Sequence, residues 1–178
     1  MPKKFPSELR YDVISKDWVI IATGRGRRPE TFKKEKRIKK ETSRKLCPFC
    51  HIKPGTKIIL AFSHGKKIPP ETIPPGSVPK DWTVIDIPNK FPAFSPQDGL
   101  EERIEGKLYK VMNAVGFHEV IITRDHKKQM AQFSVAQIKE VIDVYQERYL
   151  QLMTKKFVKY VSIFHNHGVE AGASIVHP

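Results

Sequence analysis

The sequence predicts an α+β domain, with a mainly antiparallel sheet and one long amphipathic helix. Three observations predict it. Short runs rich in β-branched and aromatic residues recur along the chain, separated by Pro, Gly and charged stretches. A single long window carries clear helical periodicity. Strands do not alternate with helices, so the βαβ units of a parallel sheet are not indicated.

Leu9–Asp12 and Asp17–Ala22 read as two strands, with Val13–Lys16 as the turn between them. Thr23-Gly-Arg-Gly-Arg-Arg-Pro-Glu follows as a basic loop, and residues 29–46 form a charged segment predicted to be flexible. After Cys47-Pro-Phe-Cys-His comes a strand over Lys57–Phe62. Residues 63–80 hold enough Pro and Gly to be predicted as a second flexible loop. Trp82–Ile87 reads as a strand that runs into Pro88-Asn-Lys-Phe-Pro-Ala-Phe, and residues 96–107 read as loop. Phe117–Thr123 reads as a further strand.

The helix begins at Ser134, which with Gln137 makes a capping box. Ile138, Val141, Ile142, Tyr145, Tyr149, Leu152 and Met153 recur at helical spacing, so this stripe is expected to be core. Lys155, Lys156 and Lys159 fall near its end, where they suit the helix dipole. Tyr160–His165 reads as a last strand. There is no internal repeat.

The 178 residues suffice for one domain with a core. No apolar run approaches the ~20 residues that cross a bilayer. Met1-Pro-Lys-Lys has no apolar segment behind it, so no signal peptide is read, and a cytoplasmic setting without a membrane is expected. Lys and Arg number 32 against 19 Asp and Glu, a net charge of +13. That excess raises a nucleic-acid reading. Much of it sits in Arg25–Lys45, however, and such blocks also occur as solvated segments.

Cys47 and Cys50 do not make a disulfide framework; their Cys-x-x-Cys spacing points to a metal or to redox chemistry. A redox motif would open a helix, and residues 51–57, with Pro54-Gly55, do not read as one. A zinc ion held by two thiolates needs two more ligands. His51, His64, His118, His126, His165, His167 and His177 are the candidates. His126 stands at a strand end with Asp125 beside it as a possible hydrogen-bond partner. His177 stands in the terminal stretch, and His118 lies inside a strand as a packed or surface side chain. The terminal stretch Phe164–Pro178 gathers three histidines, two glycines, an asparagine and a serine. These are residues that ligate, donate hydrogen bonds or let backbone approach a ligand, so this stretch reads as one wall of an active site.

Taken together, Arg10-Tyr-Asp with Trp18-Val-Ile-Ile, Arg25-Gly-Arg-Arg-Pro, Cys47-Pro-Phe-Cys, Asn89-Lys-Phe-Pro-Ala, His118-Glu-Val-Ile, Asp125-His and Asn166-His-Gly-Val-Glu-Ala-Gly-Ala-Ser-Ile-Val-His-Pro resemble the galactose-1-phosphate uridylyltransferase family. That family lies within the histidine-triad superfamily. The resemblance implies a histidine-triad-like half-barrel, with residues 1–178 forming the N-terminal nucleotidyltransferase domain. It implies transfer of UMP between UDP-glucose and galactose 1-phosphate through a uridylyl-histidine. The family signature continues as His-Pro-His-x-Gln, so no catalytic residue is expected among these 178. The nucleophilic histidine would follow Pro178.

Carried over residue by residue, the resemblance implies that Cys47, Cys50, His126 and His177 bind Zn²⁺. Arg25 and Arg28 would face the phosphates, and Asn89 the nucleoside. Phe49 and Phe91 would wall the base, and Asn166, Gly172 and Ser174 would line the α-phosphate. Lys90 stands where some members carry an acid for the ribose. A homodimer is implied for the full-length form. An ADP-sugar or dinucleoside polyphosphate phosphorylase is the related alternative, and a small basic zinc-binding nucleic-acid module is the alternative from another class.

Overall fold

The computed structural model describes residues 7–22, 43–97, 99–168, 171, 175 and 177. In chain order its elements are β1 (Glu8–Tyr11), β2 (Trp18–Ile21), β3 (Leu60–Ser63), β4 (Lys66–Lys67), β5 (Val84–Pro88), β6 (Glu102–Glu105), β7 (Tyr109–Asn113), β8 (Glu119–Thr123) and the helix α1 (Val135–Met153). The chain divides into two compact units, residues 1–33 with 88–119 and residues 34–87 with 120–178. The α+β class read from the sequence is the one observed, with two four-stranded sheets among the described residues.

The first unit holds the sheet β2-β1-β7-β6, all of its pairs antiparallel. The β1–β2 turn forms because Asp12 serves it twice. Its carbonyl accepts from Lys16 N–H at 2.9 Å, and its carboxylate accepts from Ile14 N–H at 2.8 Å. Lys16 takes the left-handed conformation, with φ of 62°.

The segment 96–107 was expected to be loop, yet it contains β6. This strand is held by charge and not by apolar alternation, which is why the pattern misses it. Glu8 is buried, and its carboxylate accepts from Arg10 Nε at 2.8 Å and from Arg103 at 3.3 Å. Arg103 also donates to Glu105 at 2.7 Å. Buried Asn113 then ties down the approach to β6. Its Nδ2 donates to Gln97 Oε1 at 2.8 Å and to the Gly99 carbonyl at 2.9 Å. Its Oδ1 accepts from Glu101 N–H at 2.8 Å.

The second unit holds the sheet β4-β3-β5-β8 and α1. Alternation along its strands makes two apolar layers. Leu60, Phe62 and Val84 pack with Val141 and Val144 of α1. Ala61, Ile85 and Ile122 pack with Trp82, and Phe49, Ile52, Ile58, Ile68, Ile73 and Val78 close over them. Within 63–80, expected to be loop throughout, β3 and β4 form a hairpin. Its two turn residues, His64 (φ 48°) and Gly65 (φ 79°), are both left-handed, as a type I′ turn requires. A short 3₁₀ turn follows at Pro70–Thr72.

Helix α1 starts at the expected cap. Ser134 Oγ accepts from Gln137 N–H, and the Gln137 side chain accepts from Ser134 N–H. Its buried face differs from the expected stripe. Glu140, Val141, Val144 and Leu152 are buried, whereas Ile142, Tyr149 and Met153 are exposed. At 100° per residue the last three sit roughly 135° round from the buried line. Glu140 is buried in place of a hydrophobe because it ties the helix to the hairpin. One of its oxygens accepts from Gly65 N–H at 2.8 Å and from Thr83 Oγ1 at 2.5 Å.

The strand expected over Tyr160–His165 is not formed. Among the described residues it pairs with no strand. Tyr160 and Phe164 are exposed there. No described helix is long and apolar enough to cross a membrane.

Candidate metal centre

Three segments of the second unit bring Cys47, Cys50, His126 and His177 together. The first is the cysteine turn. Ser43 caps the 3₁₀ turn Arg44–Leu46, and His51 N–H closes back on the Cys47 carbonyl at 3.2 Å. Both sulfurs thereby face the same side. The second segment is the end of β8. Arg124 anchors it with hydrogen bonds to the Lys80 and Trp82 carbonyls and with its guanidinium 5.5 Å from the Trp82 ring centre. Asp125 then turns the chain by accepting from Lys127 and Lys128 N–H, both at 3.1 Å. The third segment brings His177, whose Nε2 lies 2.7 Å from the Thr123 carbonyl.

One potential ligand atom from each of the four residues lies within 4.8 Å of all the others. Cys47 Sγ is 3.4 Å from His177 Nδ1. Cys50 Sγ is 3.2 Å from His126 Nδ1 and 3.7 Å from His177 Nδ1. The two Nδ1 atoms are 3.2 Å apart. Four donors at about 2.0–2.3 Å from one tetrahedral ion would stand roughly 3.3–3.8 Å from each other. The spacing therefore suits four ligands around one metal ion better than a chain of hydrogen bonds.

The His177 tautomer agrees. A carbonyl can only accept, so Nε2 carries the proton and Nδ1 offers its lone pair to the cluster. Burial pulls the His177 pKa down, and His126 adds to this against the Thr123 carbonyl and Asp125. The ring is thus held in its ligating, neutral form. Burial pushes the Cys50 thiol up, with Cys47 adding and Arg44 opposing. Without a metal this cysteine is a poorer thiolate than an exposed thiol.

Phe49 stands edge-on to the His177 ring, centres 5.6 Å apart, and packs on the layer that contains Trp82. A cleft of about 980 Å³ opens beside the centre, lined by His126 and by charges of both signs, among them Arg44, Lys127 and Lys128 with Asp125 and Glu140.

The other expected site residues divide. Asn89 and Phe91 belong to the first unit, where the Asn89 Oδ1 accepts from Phe91 N–H at 2.8 Å. Lys90 Nζ stands 5.3 Å over the Phe91 ring. Asn166 is exposed in the second unit. Arg25, Arg28, Gly172 and Ser174 lie outside the described residues. Asp125 Oδ1 accepts from the two backbone amides of Lys127 and Lys128. Sequence reasoning missed Arg124 and Thr123, which aim the two histidines. The Arg next to Asp-His was a visible signal; a backbone carbonyl leaves none.

Residues 79–178 match the family described as galactose-1-phosphate uridyl transferase, N-terminal domain. An ADP-glucose phosphorylase of Arabidopsis thaliana is 27% identical over 96% of this chain and 46% of its own length. Galactose-1-phosphate uridylyltransferases of Thermotoga maritima and Haemophilus influenzae are 24% and 28% identical, over 96% and 95% of this chain and 44% of their own lengths. A solved uridylyltransferase structure superposes with a TM-score of 0.61 at 21% identity, over 96% of this chain and 43% of that one. The chain thus spans less than half the length of these relatives. With the fold, the cysteine and histidine cluster and the sequence match in agreement, the chain belongs to the galactose-1-phosphate uridyl transferase family.

Proposed function

We propose that this chain supplies the zinc-braced, nucleotide-binding part of a transferase that moves UMP between UDP-glucose and galactose 1-phosphate. The observation that carries the proposal is the convergence of Cys47, Cys50, His126 and His177 within this family's fold. Two thiolates and two neutral imidazoles are a borderline-soft, closed set that suits Zn²⁺. With all four of these residues as ligands, a bound ion would brace the fold and would keep no open position for substrate.

The chain's own residues then divide the work of binding. Arg25 and Arg28 offer planar guanidinium groups to phosphate oxygens. Asn89 holds the nucleoside, and Phe49 and Phe91 contribute apolar walls. Asn166, Gly172 and Ser174 approach the α-phosphate, Ser174 as a hydroxyl donor. The transfer itself calls for an imidazole that attacks the α-phosphorus as the bond to glucose 1-phosphate breaks, and then passes the uridylyl group to galactose 1-phosphate. In the family pattern that histidine follows His177-Pro178. Residues 1–178 alone therefore bind nucleotide without turnover, and the complete enzyme works as a cytoplasmic homodimer.

Elemental analysis and calorimetry test this. One zinc per chain and binding of UDP-glucose, with no exchange of label between UDP-glucose and glucose 1-phosphate, are expected. Binding of ADP-glucose in preference to UDP-glucose would select the second reading, favoured by the similarity to an ADP-glucose phosphorylase. Salt-sensitive binding of generic DNA or RNA with no nucleotide-sugar binding would sink both.

A further inference from the structure

We infer that His118 is a positioning residue that grips both ends of the Asn89–Ala93 turn, Asn89 through its carbonyl and Ala93 through its imidazole, and holds it in the form that receives the nucleotide. The inference deepens the function proposed above and rests on it for the roles of Asn89 and Phe91. Its own basis is geometric and lies within one unit.

Asn89-Lys-Phe-Pro-Ala93 leaves β5 directly after Pro88. Asn89 N–H donates to the His118 carbonyl at 2.9 Å. The Asn89 side-chain amide lies 3.1 Å from His118 Nε2. Ala93 N–H donates to His118 Nδ1 at 2.9 Å. His118 thus holds the first residue of the turn through its carbonyl and the last, across 25 residues of sequence, through its imidazole. Ala93 is buried. Its N–H is removed from water and needs an acceptor, and the imidazole is the acceptor it has.

The chain beyond the turn lies along the same stretch. Ser95 N–H donates to the Ala114 carbonyl and Gly116 N–H to the Ser95 carbonyl, both at 3.1 Å. Gly116 admits the Phe94 side chain, since a Cβ there would stand 3.2 Å from Phe94 Cβ. The turn is therefore fixed where it enters and where it leaves. Between those points, Asn89 Oδ1 holds Phe91 N–H, which sets the amide and the aromatic ring relative to each other. A binding turn ordered in advance loses less freedom when its ligand arrives. A histidine that served packing alone would not place a ring nitrogen to accept from the buried Ala93 N–H.

Three forms of the 178-residue chain are compared: wild type, His118→Leu and His118→Asn. Leucine fills the space without polar atoms. Asparagine returns an acceptor near the Nδ1 position. Calorimetry with UDP and with ADP is read beside zinc content, melting temperature and amide hydrogen exchange at Asn89 and Ala93. The expected result is one nucleotide bound by wild type, at least tenfold weaker binding by His118→Leu with zinc unchanged, and recovery to within about threefold by His118→Asn. Ala93 protection should fall and return in the same order. Equal nucleotide binding by wild type and His118→Leu overturns the inference. So does a folded His118→Asn that regains Ala93 protection but not affinity. Wild type that binds neither nucleotide refutes the functional reading itself, and the inference with it; exchange at Ala93 then still reports whether His118 holds the turn.

Discussion

Removing the metal should cost the second unit much of its stability, and the structure gives the scale. The four ligands come from three places in the chain. Cys50 and His126 are 76 residues apart, and His126 and His177 are 51 apart. In the chain-entropy treatment, a cross-link closing a loop of that size is worth about 4 kcal/mol. Two such closures set an upper figure of roughly 8 kcal/mol. Residual structure in the unfolded chain and strain in the folded one reduce it, so a loss of about 4 kcal/mol is the expectation. Domains of this size shift by roughly 2–4 °C per kcal/mol, which puts the fall in melting temperature near 10–15 °C. The assay is a melt of zinc-loaded protein against protein stripped with a strong chelator, with Cys50→Ser in parallel. Stripping Cys50→Ser should add little, since both changes undo the same links. If stripped and loaded wild type melt within about 2 °C, or if chelator and substitution add in full, the bracing argument is wrong.

Glu140→Ala should destabilise by about 2–3 kcal/mol, because Gly65 N–H and the Thr83 hydroxyl lose a shared, buried acceptor. Glu140→Gln should lose about half as much; denaturant midpoints at constant slope report both. The charged sheet predicts a pH dependence. Hydrogen bonding from Arg103, then the nearby Arg10 and Arg103 charges, hold the Glu105 carboxylate below its ordinary value. Its folded pKa is depressed, so its contribution is present above about pH 4.5, the unfolded carboxyl range. That contribution is lost as pH falls through the folded value. Melts from pH 6 to pH 3 should therefore fall less steeply for Glu105→Gln than for wild type, and parallel curves would refute the assignment.

Where apolar alternation met a buried sheet, the sequence could be read directly. Ala61-Phe62, Val84-Ile85 and Ile121-Ile122 each send neighbours to opposite layers. The capping box marked the start of α1 to the residue. Where polar groups carry the structure, the pattern was silent. β6 depends on Arg103 meeting Glu8, which lies 95 residues away, and no local window contains that pair. The buried line of α1 was displaced because Glu140 looks like a surface residue until its partners on the hairpin are known. The cysteine spacing announced half of a metal centre. Choosing His126 and His177 among seven histidines took the family resemblance, since two of the three joining segments are tens of residues distant. His118 was read as packed or exposed for the same reason: its partners in the Asn89–Ala93 turn are out of local view.

The end of β8 does two jobs at the metal centre, and they can be separated. The Thr123 carbonyl fixes the tautomer of His177, while Arg124 fixes the turn that delivers His126. The first job belongs to the backbone. Thr123→Val keeps the carbonyl and a β-branched side chain, so metal affinity should stay within about twofold. The second job belongs to a side chain. Arg124→Ala removes two hydrogen bonds to carbonyls and the contact with the Trp82 ring, leaving Asp125 to shape the turn alone. Residues that orient a ligand typically alter metal affinity by about 10–100-fold when lost, so competition with a chromogenic chelator should show Arg124→Ala weaker by about that much. Arg124→Lys should recover only part of it, because an ammonium can reach the two carbonyls that one guanidinium nitrogen serves but brings no planar group to the Trp82 ring. A Thr123→Val protein that loses zinc, or an Arg124→Ala protein that keeps wild-type affinity, would mean that the centre is aimed by something other than the end of this strand.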